Sequence, residues 1–210
     1  MTVGSAGPSA PEARDAQLPS QRKSCIDLCA EEAALASVRD GRREEALTIL
    51  MRAYSAPITA FAVRVLRNAE AGRDIRQQVF LEAFQGIEKF AGRSSVWCWL
   101  CGIAYHRCVD ELRRGRRYEP VEDFDVLDAI AAPPDPMMDA DRFAKQRALE
   151  SCLGKLSVPM RTQLLMRYQL GLSYIEIGEA VGASPSTVQV RVSRILPRLR
   201  RCLLGEGITR

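Results

Sequence analysis

Cys98, Cys101, His106 and Cys108 are all of the types that bind zinc, and the first pair has the C-x-x-C form of a metal knuckle. Helical geometry argues against a shared ion. At 1.5 Å rise per residue, Cys101 and Cys108 on one helix stand roughly 10 Å apart, whereas tetrahedral zinc needs its sulfurs within about 4 Å. No metal and no other cofactor is expected. The sequence also has no Walker loop, dinucleotide fingerprint, nucleophile elbow or H-E-x-x-H, and His106 is its only histidine. It is not expected to be an enzyme or to have a small-molecule substrate.

A second group of residues suits different chemistry. Ser186, Thr187, Gln189, Val190, Arg191, Ser193 and Arg194 alternate with Val188, Val192, Ile195 and Leu199, which recur at the spacing of a buried helical stripe. With that stripe packed inward, the polar set faces out. Arg pairs with guanine, Gln with adenine, and an apolar Val meets a thymine methyl, so this face is fitted to read base edges.

The elements that would position this face are marked by local signals. Ser173 with Glu176 makes a capping box, so a helix starts at Tyr174. Gly182 can close it in the left-handed conformation. Ser184 then caps a second helix whose first position, Pro185, has no donor to leave unpaired. Two helices joined by a short glycine turn form a helix-turn-helix, whose second helix enters a major groove. Pro197, further along, should kink or stop that helix.

The rest of the 210-residue chain reads as helical or unstructured. With 47% hydrophobic and 27% charged residues it has the composition of a folded protein. Residues 1–24 read as a disordered leader. Residues 25–117 read as a helical domain, with Leu47, Leu50, Met51 and Tyr54 on one stripe and Ile75, Val79 and Phe80 on another. Pro57 should kink or divide its helix, and Glu70 to Gly72 should mark a turn. Residues 118–141 hold eight carboxylates, four prolines and no Lys or Arg, which reads as a flexible acidic linker. Residues 142–210 form a second helical domain, broken at Ser157, Gly171 and Gly182 to Ser184. The expected class is therefore all-α: two small helical domains joined by an acidic linker, the second a helix-turn-helix.

The linker's eight negative charges place the remainder eight above the chain's +4, at +12, which suits a polyanionic partner. No apolar run approaches a membrane span, and no secretory signal is evident, so the expected location is the cytoplasm, without membrane insertion. The seven cysteines have no small-scaffold spacing and are expected to be thiols.

Residues 156–203, beginning LSVPMRTQLL and containing GLSYIEIGEAVGASPSTVQVRVSR, resemble the promoter-reading C-terminal domain of bacterial sigma factors at Leu156, Gly171 to Tyr174, Thr187, Val188 and Arg191, a resemblance that makes this domain the reader of the upstream, minus-thirty-five element. Gln189 and Val190 stand where that family usually has Lys and Ser. Residues 73–84, RDIRQQVFLEAF, resemble the helix by which sigma factors grip the clamp of the polymerase's largest subunit. The resemblance assigns polymerase contact to Asp74, Gln77, Gln78, Phe80 and Glu82. Residues 90–117, FAGRSSVWCWLCGIAYHRCVDELRRGRR, follow at the family's distance. There the resemblance makes Lys89 to Ser95 the loop that captures a flipped base, with Lys89, Arg93, Ser94 and Ser95 on DNA. It makes the helix after the loop the reader of the minus-ten element, through Tyr105, His106, Asp110, Arg113 and Arg114. The implied protein is an extracytoplasmic-function sigma factor of the sigma-70 family, working with core RNA polymerase and promoter DNA and held by an anti-sigma protein. The chief alternative is a stand-alone helix-turn-helix regulator with an N-terminal sensor or dimerisation domain. A recombinase using the same reading helix would need a nucleophile constellation that the sequence does not offer.

Overall fold

A computed structural model describes residues 25–118 and 140–208, and every regular element among them is helical. The first half comprises α1 (Cys25–Arg39), α2 (Arg43–Leu66), α3 (Ala69–Gly86), a 3-10 turn (Ile87–Lys89) and α4 (Val96–Tyr118). The second comprises α5 (Ala140–Gly154), α6 (Val158–Tyr168), α7 (Tyr174–Val181) and α8 (Pro185–Gly205). The expected leader, and the expected linker from 119 to 139, lie outside the described residues.

α2 is the central strut of the first half, packed against α1, α3 and α4. Ala46, Leu50, Tyr54, Ile58, Phe61, Ala62 and Val65 are buried along it at helical spacing. Burial on both sides of Pro57 holds the helix as one piece, so the expected division there does not occur. Met51 departs from the expected stripe and is 41% exposed. α2 is also long and apolar enough, by length and composition, to cross a membrane, contrary to the expectation that no stretch is. Its apolar stripe is spent on its helical neighbours.

The turn into α3 lies earlier than expected. Arg67 takes a left-handed φ of 56°, and Asn68 then caps α3, its Oδ1 accepting the N–H groups of Glu70 (2.9 Å) and Ala71 (3.0 Å). Glu70 to Gly72 are therefore helical. Gly72 permits a close crossing of α2 and α3: a Cβ there would fall 2.4 Å from Val63 Cγ2 and 2.8 Å from Val63 N.

In the second half the breaks fall where the sequence places them, with Gly171 (φ 73°) and Gly182 (φ 67°) in left-handed turns. α8 continues through Pro197 without stopping. That proline is exposed, while Val192 and Ile195 are buried and Leu199 half-buried, so packing on the opposite face carries the helix past the missing bond. The expectation that every cysteine is a thiol fails at Cys152 and Cys202. Helices α5 and α8 bring their Cα atoms to 5.8 Å and a disulfide joins them. A separation of 50 residues gives no local spacing that would reveal the pair.

The two halves touch. α4 packs on α7 and α2 on α6, and buried side chains from both contribute to one apolar core. Trp97 Nε1 donates to the Leu170 carbonyl at 3.0 Å, Arg161 Nη2 to the Val65 carbonyl at 2.6 Å, and Arg64 Nε pairs with Glu150 at 2.8 Å. Arg161 is 5% exposed and its Nε lacks a partner. Burial, reinforced by the Arg67 charge and opposed by Glu150, pushes its guanidinium down to about 10. Such a contact holds a charge in poor surroundings.

Candidate nucleic-acid and polymerase interfaces

The start of α8 is fixed by its own preceding residue. Ser184 Oγ accepts the Thr187 N–H at 3.2 Å and lies 2.7 Å from Thr187 Oγ1 and 3.0 Å from Ser186 Oγ, so these hydroxyls form one cluster at the helix tip. α7 before it carries the complete capping box: the Glu176 N–H donates to Ser173 Oγ at 3.2 Å and the Ser173 N–H to Glu176 Oε2 at 2.8 Å. Val188, Val192 and Ile195 point inward, at 0 to 1% exposure. Ser186, Gln189, Val190, Arg191, Ser193 and Arg194 are exposed and Thr187 is half-buried. A shallow cavity of about 320 Å³ lies among Ser186, Thr187, Val190, Arg191 and Arg194. α8 carries no acidic residue, so its exposed arginines and the positive end of its dipole give this face an uncompensated positive charge.

On α4, Leu100, Cys101, Ala104 and Cys108 are fully buried and Leu112 is half-buried, at the three- and four-residue spacing of one helical face. Burial pushes the Cys108 thiol up to about 12, with Glu111 adding to the shift, so it stays a neutral core group. The described residues bring no ligand group together at Cys98, Cys101, His106 and Cys108. His106 is exposed and meets half-buried Tyr105 edge to face, ring centroids 5.1 Å apart. Arg113 and Arg114 are exposed; Asp110 lies between Arg107 at 3.6 Å and Arg113 at 3.9 Å, while Arg114 leans to Glu111 at 3.6 Å. In the loop before α4, Lys89 and Arg93 are exposed. Ser94 and Ser95 are half-buried, and Ser95 Oγ accepts the Cys98 N–H at 3.1 Å as a helix cap. Gly102, one turn before His106, abuts α7: a Cβ there would come 3.9 Å from that of Ala180.

The polymerase-facing set on α3 divides. Asp74 and Gln77 are exposed and Gln78 is half-buried. Phe80 is 3% exposed and belongs to the core with Ile75, Val79 and Ala83, so its assignment to the clamp surface is corrected. Glu82 is half-buried and held by Arg107 of α4, which ties α3 to α4. The residue that the motif passes over is Leu81, 59% exposed on the face of Asp74 and Gln77. Its spacings of seven and four from those residues are the signal that marks it.

Comparison with known proteins agrees with this division. The Sigma-70 region 2 family model matches residues 50–118, and the Sigma-70, region 4 model matches residues 146–199. RNA polymerase sigma factor YlaC of Bacillus subtilis (strain 168) is 29% identical over 161 residues, covering 76% of this chain and 93% of that protein. ECF RNA polymerase sigma factor SigK of Mycobacterium bovis (strain BCG / Pasteur 1173P2) is 27% identical over 154 residues, covering 70% and 79%. Among solved structures, the sigma factor RpoE of Bartonella quintana, crystallised with the anti-sigma factor NepR, superposes with a TM-score of 0.63 at 22% identity, over 73% of this chain and 93% of that one. CnrH, solved with the cytosolic domain of CnrY, gives 0.62 at 20% identity, over 84% and 98%. Two promoter-factor regions, in order and on separate helical halves, define the class as a transcription initiation factor. The chain belongs to the sigma-70 family of RNA polymerase sigma factors, in its extracytoplasmic-function group.

Proposed function

We propose that this protein binds core RNA polymerase through α3 and directs it to promoters that it reads with α4 and α8. The observation that carries this reading is the pairing of two exposed, cationic helix faces with the two sigma regions, one region to each half of the chain. The polymerase supplies the chemistry; this chain supplies position. Asp74, Gln77 and Leu81 form the clamp-facing surface, an apolar anchor set among polar groups. Tyr105 and His106 offer rings on which an unstacked base can rest, and Arg113 and Arg114 meet phosphates. On α8, Gln189, Val190 and Arg191 address base edges in the upstream element.

The resemblance gives α4 the minus-ten element and α8 the minus-thirty-five element, which by their positions lie about 25 base pairs apart, roughly 85 Å at 3.4 Å per pair. Since α4 and α7 touch in the free chain, the halves must part on the polymerase. The poorly satisfied Arg161 contact suits an interface made to be broken. An anti-sigma protein is a fitting partner for the closed form, as RpoE is held with NepR.

The experiment is a gel shift on promoter DNA with and without core polymerase. Each reading surface is small, so the chain alone should bind weakly and the complex specifically. Strong specific binding by the chain alone would favour a stand-alone regulator. Asp74→Arg with Leu81→Glu should weaken association with core polymerase and leave the helical content unchanged; retained binding would displace the clamp assignment.

A further inference from the structure

The helix that follows the base-capture loop is fixed by a residue far upstream of it. The first N–H groups of α4 have no partner within the helix. Glu31 of α1 takes two of them: Oε2 accepts the Val96 N–H and Oε1 the Trp97 N–H, both at 3.1 Å. Tyr54 Oη, on α2, donates to the same Oε1 at 3.2 Å, and the Tyr54 ring lies against Trp97 with centroids 4.9 Å apart. Glu31 is 8% exposed. A carboxylate is costly to bury without such partners, and here it also faces the positive end of the α4 dipole. Glu31, Tyr54 and Trp97 are thus linked to one another at the junction between loop and helix. By contrast Ala91, Gly92 and Arg93 of the loop are exposed, and Gly92 is in a left-handed turn.

We infer that Glu31 is a positioning residue for promoter melting: it sets where the capture loop ends and α4 begins, and so the register of loop and ring pair against a base leaving the stack. This rests on the sigma-factor reading. Glu31 lies before the stretch matched to region 2, and it acts on the reading helix through the backbone of Val96 and Trp97.

The test uses the full chain in holoenzyme, on a promoter selected by the wild-type holoenzyme from a randomised library. Each variant is assayed on that duplex and on a copy already unpaired across the minus-ten element. Glu31→Gln keeps the volume but turns a donor toward one of the two N–H groups. It should leave affinity for core polymerase within about twofold and slow duplex opening, followed by a fluorescent base analogue, by roughly tenfold, the factor that about 1.4 kcal/mol of lost cap energy gives. On the unpaired template the rate should return close to wild type. Tyr54→Phe, which keeps the ring and removes one donor, should show the same pattern more weakly and serves if Glu31→Gln does not fold. An equal defect on both templates, no defect on either, or loss of core binding would overturn the inference. Failure of the wild-type holoenzyme on both templates would instead count against the sigma-factor reading itself.

Discussion

The two helices proposed to read DNA, α4 and α8, solve the same problem at their N-termini in opposite ways. α8 is capped by Ser184, the residue immediately before it. α4 is capped in part by its neighbour Ser95 and in part by Glu31, 65 residues upstream of Val96. A helix with a local cap can hold its shape wherever its domain is carried. One with a remote cap is oriented only while the upstream helix stays packed, which suits a helix that must stand in fixed relation to a loop and a clamp surface on the same half of the molecule.

The largest expected effect tests whether α8 is as locally specified as its cap suggests, because the Cys152–Cys202 disulfide is a remote tie within the local half. Closing a loop of this length removes unfolded-state entropy worth up to about 4 kcal/mol. Thermal unfolding in oxidising buffer and with a dithiol reductant should show the reduced protein less stable by a substantial part of that amount, and Cys202→Ser should be low in stability in both buffers. If the bond is removed without change, α8 is held by packing and its cap alone.

The next effect separates the base-reading start of α8 from its distal arginines. Arg191 and Gln189 are exposed near the capped end. Changing either to Ala should cost about 1 to 3 kcal/mol on the preferred upstream element and relax preference there. Arg200 and Arg201 are exposed beyond Pro197, on a helix that runs straight through it. Their removal should weaken all sequences alike and flatten the salt dependence by roughly 0.9 in log-log slope for each phosphate that is no longer neutralised. Holoenzyme binding to a randomised element at several salt concentrations measures both. Altered preference from Arg200→Ala, with none from Arg191→Ala, would reverse the orientation given to α8.

The same contrast explains what is legible in the sequence. The capping box at Ser173, the glycine stop at Gly182 and the Ser184 cap each act over three or four residues, so the helix-turn-helix follows from neighbouring residues alone. The buried stripe of α4 is legible for the same reason, since its period is local. The pairing of Glu31 with α4 and of Cys152 with Cys202 is not, because only packing brings these groups together. Pro57 and Pro197 mislead in the other direction: the local cost is real, but packing outweighs it, through residues buried on both sides of Pro57 and through Val192, Ile195 and half-buried Leu199 on the face opposite Pro197. Phe80, assigned to the polymerase contact, lies in the core, and Leu81, to which the motif gives no role, lies on the surface, because a motif identifies positions without assigning faces. Helical phase places Leu81 with Asp74 and Gln77, seven and four residues before it, whereas Phe80, one residue from Val79 and five from Ile75, is put in the core by packing, at 3% exposure.

A smaller effect tests the local side. Ser184→Ala should cost about 1 kcal/mol, read as a lower denaturation midpoint, and should weaken binding to the upstream element while duplex opening on the holoenzyme is spared. A melting defect as large as that of Glu31→Gln would erase the distinction between the two caps.

The smallest expected effect concerns one of the bonds that join the two halves. Trp97→Phe keeps an aromatic ring against Tyr54 but deletes the donor to the Leu170 carbonyl, so the free chain should lose about 1 kcal/mol of stability in denaturant. If the halves part on the polymerase as proposed, that bond is already broken there. Promoter binding by the holoenzyme should therefore be unchanged or slightly stronger, because a weaker closed form has to be opened on assembly. Hydrogen exchange at α7 of the free chain should rise in the variant, where α4 covers it less firmly. The two measurements together decide the matter. A stability loss in the free chain with no loss in the holoenzyme means Trp97 serves the closed form through its indole N–H and the reading helix through its ring. An equal loss in both would mean that the packing of α4 on α7 persists during transcription, and the separation of the halves would have to be abandoned.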